Sequence, residues 1–218
     1  MVKRLAAAAL VLLGAWSCAT VPTAAPAFFV EGLPSGVKSI MGLDDRIAAT
    51  DAWKALEAGR PEAARRILLK MDEANPVREA GLAYADLLAG DVAAAEARFQ
   101  ASVAAHPEMV PSRIGLAQIH ETRREPAKAF AEYRAVLELQ PDHRWAGSRF
   151  ASLRDELHET AMAAAREALS SGDREAAKRG FLEALFYVPG RTEAHVELAR
   201  LYREDKDAAA ALLHFRAA

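Results

Sequence analysis

The residues with which this chain could do chemistry are six histidines, one cysteine and scattered charged pairs. Histidine serves as a general base or metal ligand, and cysteine as a nucleophile or thiolate ligand. The histidines do not assemble: His106 and His143 lie beside prolines, His120 and His158 begin His-Glu-Thr triplets, and His195 and His214 fall near the C-terminus. None stands at the helical spacing a metal site wants, so solvent-facing histidines are expected. There is no Gly-rich phosphate loop ending in Lys-Ser/Thr, no Gly-x-Ser-x-Gly and no His-Glu-x-x-His. One cysteine excludes an internal disulfide and a site of several thiolates. A net charge of −2 argues against nucleic acid. Charge groups such as Glu121, Arg124 and Glu125 suit solvated helix faces. The expectation is a protein with no catalytic, cofactor-binding or metal-binding residues: not an enzyme.

Cys18 has a different context. Lys3 and Arg4 precede an uncharged run from Leu5 to Ala15, the pattern of an export signal. Eleven residues make about 16 Å of helix, roughly half of a ~30 Å hydrocarbon core, which disfavours a membrane span. Gly14-Ala15-Trp16-Ser17-Cys18 resembles a bacterial lipobox, whose cysteine is acylated and becomes the mature N-terminus. Ser17 fits that pattern, whereas Ala15 stands where leucine is commonest and Trp16 is bulky. The resemblance implies a signal over 1–17, lipidation at Cys18 and an exported lipoprotein facing the periplasm or cell surface. The alternative is cleavage after Ala19 and a soluble secreted or periplasmic protein. Residues 18–44, with prolines at 22, 26 and 34, read as a flexible tether holding a small apolar cluster, Phe28, Phe29 and Val30.

From Asp45 the chain repeats. Ala64, Ala95, Ala129, Ala177 and Ala211 are each followed four residues later by Leu68, Phe99, Tyr133, Phe181 and Phe215. Pro76, Pro107, Pro141 and Pro189 come eight residues after the first four of these. Five residues before the alanines stand Gly59, Gly90, Arg124, Gly172 and Lys206, at the turn where a left-handed residue closes a helix. A small residue one turn before a large one lets paired helices approach, and proline ends the second helix. Gly90 to Arg124 and Gly172 to Lys206 are each 34 residues.

This skeleton resembles the tetratricopeptide repeat family, whose period is 34 residues. The family's small residue in the first helix falls on Ala52, Ala83, Ala117, Ala165 and Ala199. Only Tyr202 keeps its tyrosine three residues later, and no copy keeps its early tryptophan. The resemblance implies an all-α fold, a right-handed α-α superhelix of about five helix pairs. Repeats 1–3 span 45–143, an insertion 144–157, and repeats 4–5, the last incomplete, 158–218. Gly59 to Gly90 is three residues short, which predicts a tighter connection near Asn75-Pro76. Arg124 to Gly172 is fourteen long, close to four helical turns, which predicts one helix over about 143–171; a bent pair of shorter helices is the alternative.

In this family the first helices line a concave wall that takes an extended peptide or a partner helix. The register puts Arg46, Trp53, Leu56, Tyr84, Leu87, Gln118, Glu121, Arg166, Arg200 and Arg203 on that wall, apolar at one end and basic at the other. Leu56 and Leu87 equally suit a core between repeats. The family's carboxylate clamp of lysine and asparagine is not supported, because Asn75, the only asparagine, lies off the wall. The functional expectation is a non-enzymatic protein-interaction scaffold in the bacterial cell envelope, membrane-bound through Cys18, with self-association through the uncapped C-terminal repeat. The alternative is the regulatory or substrate-binding portion of a longer secreted protein or enzyme.

Overall fold

Five two-residue turns organise the molecule. Gly59, Gly90 and Gly172 have φ of 65°, 89° and 84°, and Arg124 and Lys206 adopt the same left-handed conformation at 58° and 64°. At each turn two amides reach back into the helix just ended, as when Asp91 N–H bonds Asp86 O and Gly90 N–H bonds Leu87 O. This pairing satisfies carbonyls that a helix end leaves without partners. The next residue opens the following helix. Asp91, Asp173 and Asp207 accept from the backbone N–H groups of Ala94, Ala176 and Ala210. Stop and start are thus encoded in adjacent residues.

The computed structural model describes residues 33–218, in eleven helices with no strand among them. They are α1 Ser35–Ser39, α2 Leu43–Glu57, α3 Pro61–Leu68, α4 Pro76–Leu88, α5 Val92–Ala105, α6 Val110–Thr122, α7 Pro126–Leu139, α8 Arg144–Ser170, α9 Arg174–Tyr187, α10 Thr192–Glu204 and α11 Ala208–Ala217. Successive helices pack as antiparallel pairs, α2 with α3 through α10 with α11. The result is an all-α solenoid of five pairs. None of these helices is long and apolar enough to cross a membrane. The signal segment, Cys18 and the Phe28–Val30 cluster lie outside the described residues.

The spaced small residues do the expected packing. All five first-helix alanines are fully buried, and so are Leu68, Phe99, Tyr133 and Phe181. Gly81 and Gly115 receive Leu68 and Phe99 so closely that a Cβ would lie 2.7 Å and 2.3 Å from them. Phe215, the fifth member of the series, is 45% exposed instead.

Helix α8 is the long helix expected over 143–171, and its two halves belong to different cores. Ala146, Leu153 and Leu157 join α6 and α7, whereas Ala161, Met162 and Ala165 join α9 and α10. The ends of α7 and α9 meet on its flank, where Phe130 stacks on Phe150 at 4.6 Å and meets Tyr187 edge-on at 5.2 Å.

Two expectations change. The three-residue shortfall does not tighten the Asn75-Pro76 connection; it shortens α3, which has eight residues where α5 has fourteen. Asn75 caps α4 by accepting from Val77 N–H, so α4 begins at Pro76, and the chain turns early to bury Met71. The C-terminal part of the 18–44 tether is not free. Leu33, Val37 and Met41 are buried, α1 forms within the segment, and α2 begins at Leu43.

Candidate interaction surface

The first helices, α2, α4, α6, the second half of α8, and α10, supply the wall. Its N-terminal half is closed. Trp53, Leu56, Tyr84 and Leu87 are buried rather than presented to solvent. Trp53 meets Tyr84 edge-on at 5.3 Å, and Tyr84 meets Phe99 at 4.8 Å. Tyr84 donates its hydroxyl to Pro111 O at 3.0 Å, and burial pushes its pKa well above the ordinary tyrosine value. These four side chains therefore join repeat to repeat, because α2 packs on α4 and α4 on α6. Arg46, at the edge of this half, is exposed and donates from Nη2 to Lys38 O at 3.0 Å.

The middle of the wall is half-buried. Gln118 holds its side-chain oxygen out of solvent with no hydrogen-bond partner. Glu121 pairs with Arg149 on α8 at 2.9 Å. The C-terminal half is open but not simply basic. Arg166 pairs across helices with Glu193 at 2.7 Å, and Arg200 pairs with Glu197 at 2.8 Å. Arg203 is exposed and has no ion-pair partner among the described residues. The acidic side chains come from helix positions between the arginines, so the expected basic end is a mixed-charge surface. Here a cleft of about 320 Å³ separates α8 from α10, lined by Glu159, Met162, Arg166, Arg191, Thr192 and Glu193 among others.

Two of the four repeats that lack the tyrosine carry a polar residue in its place. Asp86 stands at that position in α4, buried, and receives Arg65 from α3 at 2.6 Å and Arg98 from α5 at 2.8 Å. His120 stands there in α6 and bonds Glu125 at 2.8 Å. The carboxyl of Glu125 is held below its usual range by Lys128 first and then by His120.

The expectation of solvent-facing histidines fails. His143 caps α8, buried His158 bonds Ala184 O at 3.0 Å, and His195 and His214 oppose their Nδ1 atoms at 3.0 Å. His195 also places Nε2 2.8 Å from Pro189 O. The His158–Ala184 and His195–His214 contacts join residues 26 and 19 positions apart, so no helical spacing announces them. No group of three or more His, Cys, Asp or Glu side chains able to hold a metal gathers among the described residues.

The family model described as "Tetratricopeptide repeat" matches residues 80–144 and 162–218, more than half of the chain. The match leaves out residues 1–79, which include α1, α2 and α3, and residues 145–161 in the first part of α8. No curated protein matches. Among solved structures, MamA AMB-1 (C2221) is similar at 20% identity over 81% of this chain and 97% of its own, with a TM-score of 0.43. MamA 41-end from Desulfovibrio magneticus RS-1 is similar at 17% identity over 81% of this chain and 93% of its own, with a TM-score of 0.42.

Proposed function

Because this chain belongs to the tetratricopeptide repeat family, we propose that it is a non-enzymatic scaffold of the bacterial cell envelope that takes a peptide or partner helix on its concave wall. Protein–protein interaction is the business of such repeats; the envelope address and the place of binding are our own reading. The observation that carries it is the contrast along the wall. The first half is packed shut, whereas the cleft between α8 and α10 stays open and offers an apolar floor at Met162 beside charged rims.

Within that cleft Arg166 pairs with Glu193 and Arg191 with Glu159; outside it, toward the C-terminal end of α10, exposed Arg203 is the cation left to meet an acidic side chain on the ligand. Buried arginine and aromatic anchors dominate interface energetics, so a few residues of this kind suffice. The experiment is a pull-down from envelope extracts with Arg200→Glu/Arg203→Glu protein beside the wild type. The expected result is a specific partner kept by the wild type and lost by the variant; equal capture by both moves the site elsewhere.

For the address, the supporting features are the basic, apolar and cysteine sequence at residues 3–18. Several acyl chains anchor stably where one does not. A fatty-acid analogue should label the wild type and leave Cys18→Ala protein unlabelled. Equal labelling of both proteins removes the lipoprotein reading.

A second reading is favoured by the outer side of α11, where Leu212, Leu213 and Phe215 are exposed together. That face suits self-association or a further stretch of helix in a longer protein.

A further inference from the structure

The closed half of the wall contains one participant that is not a repeat. Leu33, Val37 and Met41 belong to the same buried cluster as Trp53, Leu56, Tyr84 and Leu87. Val37 lies on α1, with Leu33 just before the helix and Met41 just after it, so the segment presents three buried apolar side chains four residues apart. The second helices of a solenoid cover only one side of the first helices, and the other side makes the concave surface. Trp53 and Tyr84, placed on that wall by the repeat register, are buried in the one cluster that holds both the first repeats and residues 33–41. Arg46, the first residue of the expected wall, holds a carbonyl at the C-terminal end of α1. A cation suits that position, because helix carbonyls leave partial negative charge there.

Helix α1 has little stability of its own. It is five residues long, its N-cap is Pro34, and no side chain caps it. Isolated helices shorter than ~12–15 residues do not persist in water. It also contains Gly36, around which a Cβ would meet nothing within 4 Å. Its order therefore comes from what it is docked against, and a segment held in this way opens locally before the repeats unfold.

We propose that residues 33–41 are a built-in ligand: a strap occupying the apolar half of the concave wall, displaced by a partner segment that carries three aliphatic residues spaced as Leu33, Val37 and Met41 are. The proposal rests on the assignment of the first helices as the binding wall, but it concerns the opposite half from the cleft between α8 and α10. With the strap docked, only the fraction of molecules in which it has opened is competent, so the partner's apparent affinity falls by that fraction. Arg46 is positioned to hold a backbone carbonyl of the incoming segment as it holds Lys38 O.

The test uses the full chain carrying Val37→Asp, which places a charge where the strap is most buried, and a fluorescent synthetic peptide of residues 33–43 as probe. The variant should bind the peptide at least tenfold more tightly than the wild type, and a peptide itself carrying Val37→Asp should bind neither. Equal binding to both proteins, or no binding to a variant that keeps its helical signal and thermal transition, overturns the proposal. Hydrogen exchange on the unaltered protein decides the case in which the variant does not fold. Amides 37–41 should exchange well ahead of those in α4 and α5; exchange only in step with α4 means the segment is core and not a strap. Loss of peptide binding with Arg203-dependent capture intact removes the strap alone, whereas the converse removes the cleft alone.

Discussion

Two glycines inside helices should respond to the same substitution with opposite signs. Gly115 in α6 faces Phe99: an added Cβ would lie 2.3 Å from ring Cζ and 2.5 and 2.6 Å from the two Cε atoms. Carbon atoms in contact prefer about 3.5–4.0 Å, so the ring would have to retreat by more than ~1 Å. It has nowhere to go, being fully buried and packed edge-on against Tyr84, which in turn meets Trp53. Overpacking of this kind costs about 1–3 kcal/mol, and the higher helix propensity of alanine offsets roughly 1 kcal/mol of it. Gly115→Ala should therefore destabilise by up to about 2 kcal/mol, lowering Tm by up to roughly 8 °C for a chain of this size. Gly147 in α8 meets only Leu137 Cδ2, at 3.9 Å, which is ordinary contact. Gly147→Ala should stabilise by about 0.5–1 kcal/mol. Thermal and urea unfolding of both variants read the signs directly. A third variant isolates the cause: with Phe99→Leu in place, the penalty at position 115 should shrink by about 1 kcal/mol, the non-additivity expected of residues in contact. If Gly115→Ala stabilises as much as Gly147→Ala, the close approach between α5 and α6 is wrong, and with it the explanation of the repeat's small residues.

Arg124 and Lys206 hold left-handed conformations at turns where the other three repeats have glycine. That conformation costs a non-glycine residue about 1–2 kcal/mol, and glycine returns roughly 0.5–1 kcal/mol of this through chain entropy. Arg124→Gly and Lys206→Gly should each stabilise by roughly 0.5–1 kcal/mol in urea titrations, and destabilisation by either would contradict the turn geometry. Acid should loosen the last helix pair. Burial first, and the charge of His195 second, hold the His214 pKa below its ordinary value. The folded form therefore binds fewer protons than the unfolded chain, so this contribution is complete above about pH 6.5 and is lost as pH falls from there toward the folded pKa. The other groups beside the pair are Tyr202, stacked on His214 at 5.6 Å, and Lys178, over the Tyr202 ring. Asp205 acts in a separate window: Lys178 first and then Arg174 lower its pKa, so its contribution goes only below the usual carboxylate range. Melts of the wild type should lose Tm between about pH 6.5 and 5, and His214→Gln should flatten that slope; a wild-type Tm unchanged over this range refutes the assignment.

Local pattern carried most of the architecture. Helix starts, helix stops and the alanine-to-ring spacing are decided within a few residues by backbone conformation and capping, so Gly90, Asp91, Ala95 and Phe99 announce their roles in one dimension. The fourteen-residue excess before Gly172 likewise predicted α8, because nearly four whole turns leave the helix face unrotated. Exposure is a different quantity, since it depends on what arrives from elsewhere in the chain. The same register that placed Tyr84 and Arg166 on one wall could not distinguish them, although Tyr84 is sealed beneath a neighbouring repeat and Arg166 borders an open cleft. Nor could it show that Glu193 would neutralise Arg166, or that His195 would find His214, because partners 27 and 19 residues away are brought together only when successive helices stack. The tether shows the limit most plainly. Prolines and glycines spaced through 18–44 carry no helical period, yet Leu33, Val37 and Met41 are buried as members of the apolar cluster of the first repeats. Sequence alone determined the helices, their turns and the order of the repeats, all of which are local. Only tertiary structure decided which residues of the wall remain free to meet a partner, because burial is the property of a surface and of whatever covers it.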